Sequence, residues 1–176
     1  MADVCYAVYE DGPLEPRAPR SSARWLHVPA TKEVSIVVLS ERRVRYRGHW
    51  FDGRMRHCVG LPECVPCRYH VGSQERYCYS VWLPFGEPGS NVAVQHQGVR
   101  MLLEVGYEAA AEITRLSECA GQLRGLTVRL EKRGGSYRGM LLVSSWDNCL
   151  IGDSLPESED VAFLLQQGWR ERDSEE

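Results

Sequence analysis

Nineteen residues, from His49 to Cys67 (HWFDGRMRHCVGLPECVPC), place three thiols and two imidazoles on one short piece of chain, and they constrain the fold more than any other feature. Cys58 is followed after five residues by Cys64 and after two more by Cys67. A Cys-x-x-Cys step lets two thiolates grip one ion from a tight turn, and tetrahedral zinc then needs two further nitrogen or sulfur donors. Cys58 is the third donor. His49 leads for the fourth because it ends a strand-like run and can swing its ring back over the loop, while His57, His70 and Cys78 are also within reach. The competing reading is a set of ordinary buried thiols, or a redox pair at Cys64 and Cys67, but no βαβ pattern surrounds them. The expectation is a zinc loop over 49–70, with Zn2+ held by His49, Cys58, Cys64 and Cys67.

A chain of 176 residues is long enough for one domain with a real core. Its seven cysteines are an odd number, no apolar leader follows Met1, and no apolar run approaches about eighteen residues. Those features disfavour a disulfide scaffold and a membrane span or membrane partner, and they predict a cytoplasmic protein. The net charge of −3 is unevenly divided. Residues 1–16 carry −4; residues 17–140 hold 19 Lys and Arg against 11 acids, or +8; residues 141–176 carry −7. A basic body between acidic ends suits a protein that attracts a polyanion and carries its own competitor for that surface, although solvated termini are often acidic.

Along the chain, residues 1–32 are rich in Pro, Ser and Arg and read as an extended N-terminal arm, interrupted by Trp25 and Leu26, an apolar pair expected to dock near the first strand. Glu33–Ser40 (EVSIVVLS) reads as a strand buried on both faces, with Glu41 and Arg42 able to turn it. Arg43–Phe51 alternates strictly, so Val44, Tyr46 and Trp50 share one face and Arg43, Arg45 and Arg47 share the other. A solvated edge strand more often mixes its signs, so three arginines in register favour phosphate contact. Arg54, Arg56 and Arg68 lie around the metal loop and extend the basic set.

Glu75–Phe85 (ERYCYSVWLPF) reads as an aromatic strand with Tyr77, Tyr79 and Phe85 on one face and Trp82 on the other. Aromatics usually pack in sheet cores, but beside a cationic strand exposed rings become platforms for bases. A turn at 86–91, strands within Val92–Val105, and a helix over Tyr107–Ala120 follow, the helix marked by Ala110, Ile113 and Leu116 at helical spacing. Leu126–Leu130 and Tyr137–Ser144 predict a hairpin with Lys132, Arg133 and Arg138 near its tip. The pattern is mainly β with one helix, and it suits an OB-like Greek-key barrel over 33–146 with an inserted zinc loop and flexible termini. Residues 147–176 form an acidic tail whose one apolar patch, AFLLQQGW at 162–169, reads as a docked helix or a partner motif.

The middle of the chain, about residues 34–116, resembles the zinc-containing single-stranded-DNA-binding proteins of T-even phages. The likeness rests on the order His49, Cys58, Cys64, Cys67, on ECVPCRYH, and on the later YCYSVWLPFGEPGSN, an aromatic strand running into a Pro and Gly turn. The His-to-Cys interval is shorter than in that family, and the N-terminal arm is acidic where the family's is basic. The resemblance implies an OB-fold core and a structural zinc. It also implies a phage-encoded or nucleoid-associated role in DNA replication, recombination or repair, with replication or recombination proteins as partners of the acidic tail.

The leading functional expectation is therefore a non-enzymatic binder of single-stranded DNA, or of RNA by the same chemistry. Its binding set is Arg43, Arg45, Arg47, Arg54, Arg56, Arg68, Lys132 and Arg133 for phosphates and Tyr77, Tyr79 and Trp82 for bases. The alternative is a zinc-knuckle protein-interaction module. An enzyme is disfavoured: His49 has no Glu two residues on, as a zinc deaminase needs, and neither a clustered carboxylate set for two metals nor a Gly-Lys-Ser/Thr phosphate loop is present.

Overall fold

The computed structural model describes residues 8–9, 24–30, 32–84, 98–133, 140–145 and 155–165. In chain order the elements are β1 (Val8–Tyr9), β2 (Arg24–Trp25), β3 (Val34–Val38), β4 (Val44–Phe51), β5 (Arg54–His57), α1 (Val65–Arg68), β6 (Ser73–Leu83), β7 (Val99–Val105), α2 (Tyr107–Ala120), β8 (Thr127–Arg133) and β9 (Met140–Ser145). A last helical turn, α3, spans residues 161–165. The turn expected at 86–91, the tip of the final hairpin with Arg138, and the tail beyond 165 lie outside the described residues.

The fold is organised on β6, whose eleven residues pair along both edges. One edge takes β7, from Tyr77↔Val105 to Leu83↔Val99. The other takes β4 at its start (Val44↔Cys78 to His49↔Ser73) and β3 at its end (Val37↔Trp82, Val38↔Val81). Glu41 and Arg42 therefore do not reverse the chain into a hairpin: β3 and β4 run on in the same direction along β6, separated by a bulge. Five residues, 39–43, oppose only two on β6, and the gap in the ladder is closed by Leu39 N–H donating to Ser80 O at 2.8 Å and Ser80 N–H donating to Ser40 Oγ at 2.7 Å.

Outward from β3 the sheet continues through β8 to β9, and outward from β7 to β2, which is the one parallel pairing. The chain is mainly β, as expected, but among the described residues the sheet stays open where a closed barrel was expected. Its outermost strands, β1 and β5 beside β4, β9 beside β8 and β2 beside β7, each pair with a single neighbour. The arm is not wholly free either, since Val8–Tyr9 pairs with β4 and Arg24–Trp25 docks on β7, not on the first strand of the body. No described helix is long and apolar enough to cross a membrane.

Each face of the sheet carries its own apolar cluster. On one, Tyr77, Tyr79, Val81 and Leu83 of β6 meet Met101, Leu103 and Val105 of β7, Val34, Ile36 and Val38 of β3, and Ala109, Ala110, Ile113 and Leu116 of α2. Those α2 positions fall on one stripe, the helix starts directly after Gly106, and Gly121 ends it in the left-handed region at φ 76°. On the opposite face Val44, Tyr46, Cys78 and Leu102 are covered by Val161 and Leu165 of α3, which Asp160 caps by accepting Phe163 N–H at 3.1 Å.

Candidate functional site

Beyond the reach of α2, the far end of β4 and the segment between β5 and β6, which includes α1, carry the candidate metal-ligand set. Asp52 and Gly53 both take positive φ (53° and 72°), which builds the tight turn that folds β5 back onto β4. The Asp-Gly pair is the standard signal for this hairpin, yet its residues read in sequence as part of the metal loop. After β5, Cys58 N–H donates to Arg47 O at 2.7 Å and Cys64 N–H to Gly60 O at 2.8 Å, which brings the loop back under the strand. The Cys64–Cys67 step opens α1 with Pro66 in the first turn, and His70 N–H donates to Cys67 O at 3.0 Å as the turn ends.

These constraints bring His49, Cys58, Cys64 and Cys67 together, with all four donor atoms within 4.8 Å of one another. Cys58 Sγ lies 3.5 Å from Cys67 Sγ, and Cys67 Sγ lies 3.3 Å from His49 Nε2. A tetrahedral ion with bonds of about 2.0–2.3 Å needs donors about 3.5–3.8 Å apart, so the set fits a metal ion. His49 Nδ1 faces Val71 O at 2.9 Å; a carbonyl only accepts, so Nδ1 carries the proton and Nε2 presents its lone pair to the thiols. Burial, reinforced by the neighbouring Cys67 thiol, pushes Cys58 up to about 12, so a cation must supply the countercharge for its thiolate.

The three other fourth-ligand candidates are placed elsewhere. His57 points to the opposite face of β5, edge-on to Tyr46 at 5.4 Å, and burial lowers it to about 4. His70 is exposed, and Cys78 is fully buried in the α3-covered cluster.

The arginine register survives in the fold with a different role for each member. Arg45 stands opposite Tyr77 and Arg47 opposite Glu75, on the same face as His49, and both are exposed. Arg45 approaches Glu75 at 4.0 Å, an exposed pair worth little. Arg43 instead tucks under α2, donating from Nη1 to Thr114 Oγ1 at 2.7 Å with its guanidinium 5.1 Å from the Tyr77 ring centre. Arg56 is not a surface cation: it is 8% exposed, pairs with Asp52 at 3.3 Å and lies over the Phe51 ring. Arg68 is exposed at the end of α1. Lys132 is half-buried on β8, far along the sheet from the metal ligands, and the side chains of Arg54 and Arg133 lie outside the described residues.

The aromatic expectations need the larger correction. Tyr77 and Tyr79 are buried, at 4% and 0% exposure, because α2 covers their face of β6, and neither ring is open to a base. Trp82 is half-buried against backbone; a Cβ on Gly98 would stand 1.8 Å from its Nε1. The exposed rings are others: Tyr107 at the start of α2, 6.5 Å from Tyr77, and Tyr69 after α1, stacked on Phe51 at 6.1 Å. Both flank the arginine face, one at each end. In sequence Tyr107 read only as the start of a helix and Tyr69 as loop, so alternation gave no signal for either. Trp50 is also exposed, on the opposite face of β4.

The described part of the acidic tail does not lie over these arginines. Residues 155–165 cross the opposite face, where Glu159 pairs with Arg100 at 3.4 Å, Glu159 N–H donates to Ser80 Oγ, and Arg124 donates to Pro156 O at 2.8 Å. Compared with protein-family models, with curated proteins and with solved structures, the chain has no significant match to any of them.

Proposed function

We propose that this protein is a non-enzymatic binder of single-stranded nucleic acid, DNA in the first instance, with one structural zinc ion. The observation that supports it is the register of β4, which puts Arg45 and Arg47 in solvent on the face that carries His49, between the exposed rings of Tyr107 and Tyr69. From Arg45 to Phe51 the strip is about 20 Å long at about 3.3 Å per residue, enough for several unpaired nucleotides. Arginines neutralise phosphates, rings stack on unpaired bases, and neither contact needs a sequence. Zinc closes the loop that carries Arg68 and Tyr69; four protein donors leave it no open position for a substrate, which is the reason to assign no reaction to it.

A fluorescence titration with a dT oligonucleotide and with duplex DNA, each at two salt concentrations, tests the reading. Single strands bind tighter than duplex, and Arg45→Ala and Arg47→Ala each lower the salt slope by about 0.7. Equal affinity for both forms points to a generic basic patch. No binding to either leaves the knuckle, with Leu61 and Trp50 exposed beside it, as a protein-contact module.

A further inference from the structure

The ring of Phe51, at the end of β4, has two close partners. The Arg56 guanidinium lies over it, 5.4 Å from its centre, and the Tyr69 ring is stacked on it with centres 6.1 Å apart and planes 17° from parallel. Arg56 is 8% exposed and pairs with Asp52 at 3.3 Å, so the base of this stack is held by burial and by charge. Phe51 follows Arg47 and His49 on one face of β4, which sets the stack at the end of the arginine strip.

Tyr69 is fixed by its backbone as well as by its ring. Its N–H donates to Pro66 O at 3.2 Å as α1 ends, two residues after Cys67. A tyrosine that gives one face to Phe51 and still stands 70% exposed has its other face in solvent. The second exposed ring near the strip is arranged differently. Tyr107 meets Tyr77 at 6.5 Å with the planes tilted by 54°, so it does not extend a parallel stack.

We infer, on the single-strand reading above, that the face of Tyr69 turned away from Phe51 is a stacking subsite that favours a purine base, with Phe51 and Arg56 positioning the tyrosine ring. A flat aromatic ring is what continues a parallel stack, and a platform already in place loses little freedom when the ligand arrives. On such a platform preference follows stacking strength, not hydrogen-bond readout. The two fused rings of a purine overlap a tyrosine ring more fully than the single ring of a pyrimidine does, so adenine and guanine both gain over thymine and cytosine.

The test uses the full chain and labelled twelve-nucleotide strands: all dT, and dT with a single central dA, dG or dC. Phosphate contacts along the arginine strip need no sequence, so the strand can shift register until its one purine meets Tyr69. A central dA or dG each raises affinity about fivefold over all-dT, and dC does not. Tyr69→Leu brings all four strands to within about twofold of one another with the salt slope unchanged, whereas Tyr107→Leu weakens all four and keeps the purine gain. Phe51→Leu reduces the purine-to-pyrimidine ratio at unchanged metal stoichiometry, a readout that a merely structural role would not move. Thermal melting of each variant establishes that it folds. Equal binding of all four strands by the unaltered protein, or a purine gain that survives Tyr69→Leu, overturns the subsite and leaves the general reading standing. Binding to none of the strands overturns both.

Discussion

The two ends of β6 are held by different forces. At the α2 end, Tyr79, Val81, Leu83, Leu103 and Ile113 pack into one apolar cluster. At the other end the buried groups are His49, Arg56, His57, Cys58 and Cys64, which give packing little to work with. Apolar burial stabilises by about 25 cal/mol per Å² removed from water, and buried polar groups stabilise only when partnered. The first end is thus an ordinary core, and the second gathers four donors, His49, Cys58, Cys64 and Cys67, that could hold a metal ion. A surface for a partner can be built at the second end because its rigidity does not depend on covering its face with a helix.

The sharpest way to break that comparison is to remove the ion. Chelation, or Cys64→Ser, abolishes metal binding, whose apparent free energy in structural zinc sites is about 10 kcal/mol or more. Hydrogen exchange should then show lost protection over 49–72 with the amides of α2 and β7 still protected. Loss of protection in both regions at once would mean that the two ends form one cooperative unit.

The converse change acts on the other end. Ile113 is fully buried beneath α2, and Ile113→Ala should cost about 4 kcal/mol, within the usual range for such deletions. Denaturant unfolding gives the loss, and metal stoichiometry measured on the same sample stays at one per chain while the protein is folded.

Acid reaches the metal end by a separate route. Neither ring nitrogen of His57 has a hydrogen-bond partner among the described residues, and burial lowers the group to about 4. The unfolded chain takes up this proton first, near pH 6.5, so stability is full above that value and falls as pH drops towards 4, by about 3 kcal/mol. His57→Phe should flatten that part of the stability–pH curve, and a wild-type curve already flat between pH 6.5 and 4 would refute the assignment.

The smallest effect belongs to the strap. Deleting residues 155–176 uncovers Val44, Tyr46, Cys78 and Leu102 by removing Val161 and Leu165, for a net loss of about 2 kcal/mol after the entropy of ordering the segment. A tail acting as a tethered competitor predicts the opposite signature, unchanged melting with tighter binding at low salt. Melting and titration of one truncated protein separate the two.

Much of this was legible in the residues. The spacing of Cys58, Cys64 and Cys67, with His49 at the end of an alternating strand, pointed to the four residues that the fold brings within 4.8 Å of one another, because a tetrahedral site constrains both donor type and loop length. The helix from Tyr107 to about Ala120 carried its own apolar period, and α2 spans Tyr107–Ala120. The alternation of β4 correctly separated Arg45 and Arg47 from Val44 and Tyr46.

What only the tertiary structure decided is which side of each strand meets solvent. Period two in β6 divides Tyr77 and Tyr79 from Trp82, but it does not say that α2 lies over the tyrosines, because that depends on where β7 sets the helix down. The same holds for Tyr69 and Tyr107, which no other described residue buries, and for β3 and β4, whose shared edge on β6 is settled by hydrogen bonds from Leu39 and Ser80. Local sequence fixes period and ligand chemistry through near-neighbour sterics and donor type; exposure is a property of what arrives from elsewhere in the chain.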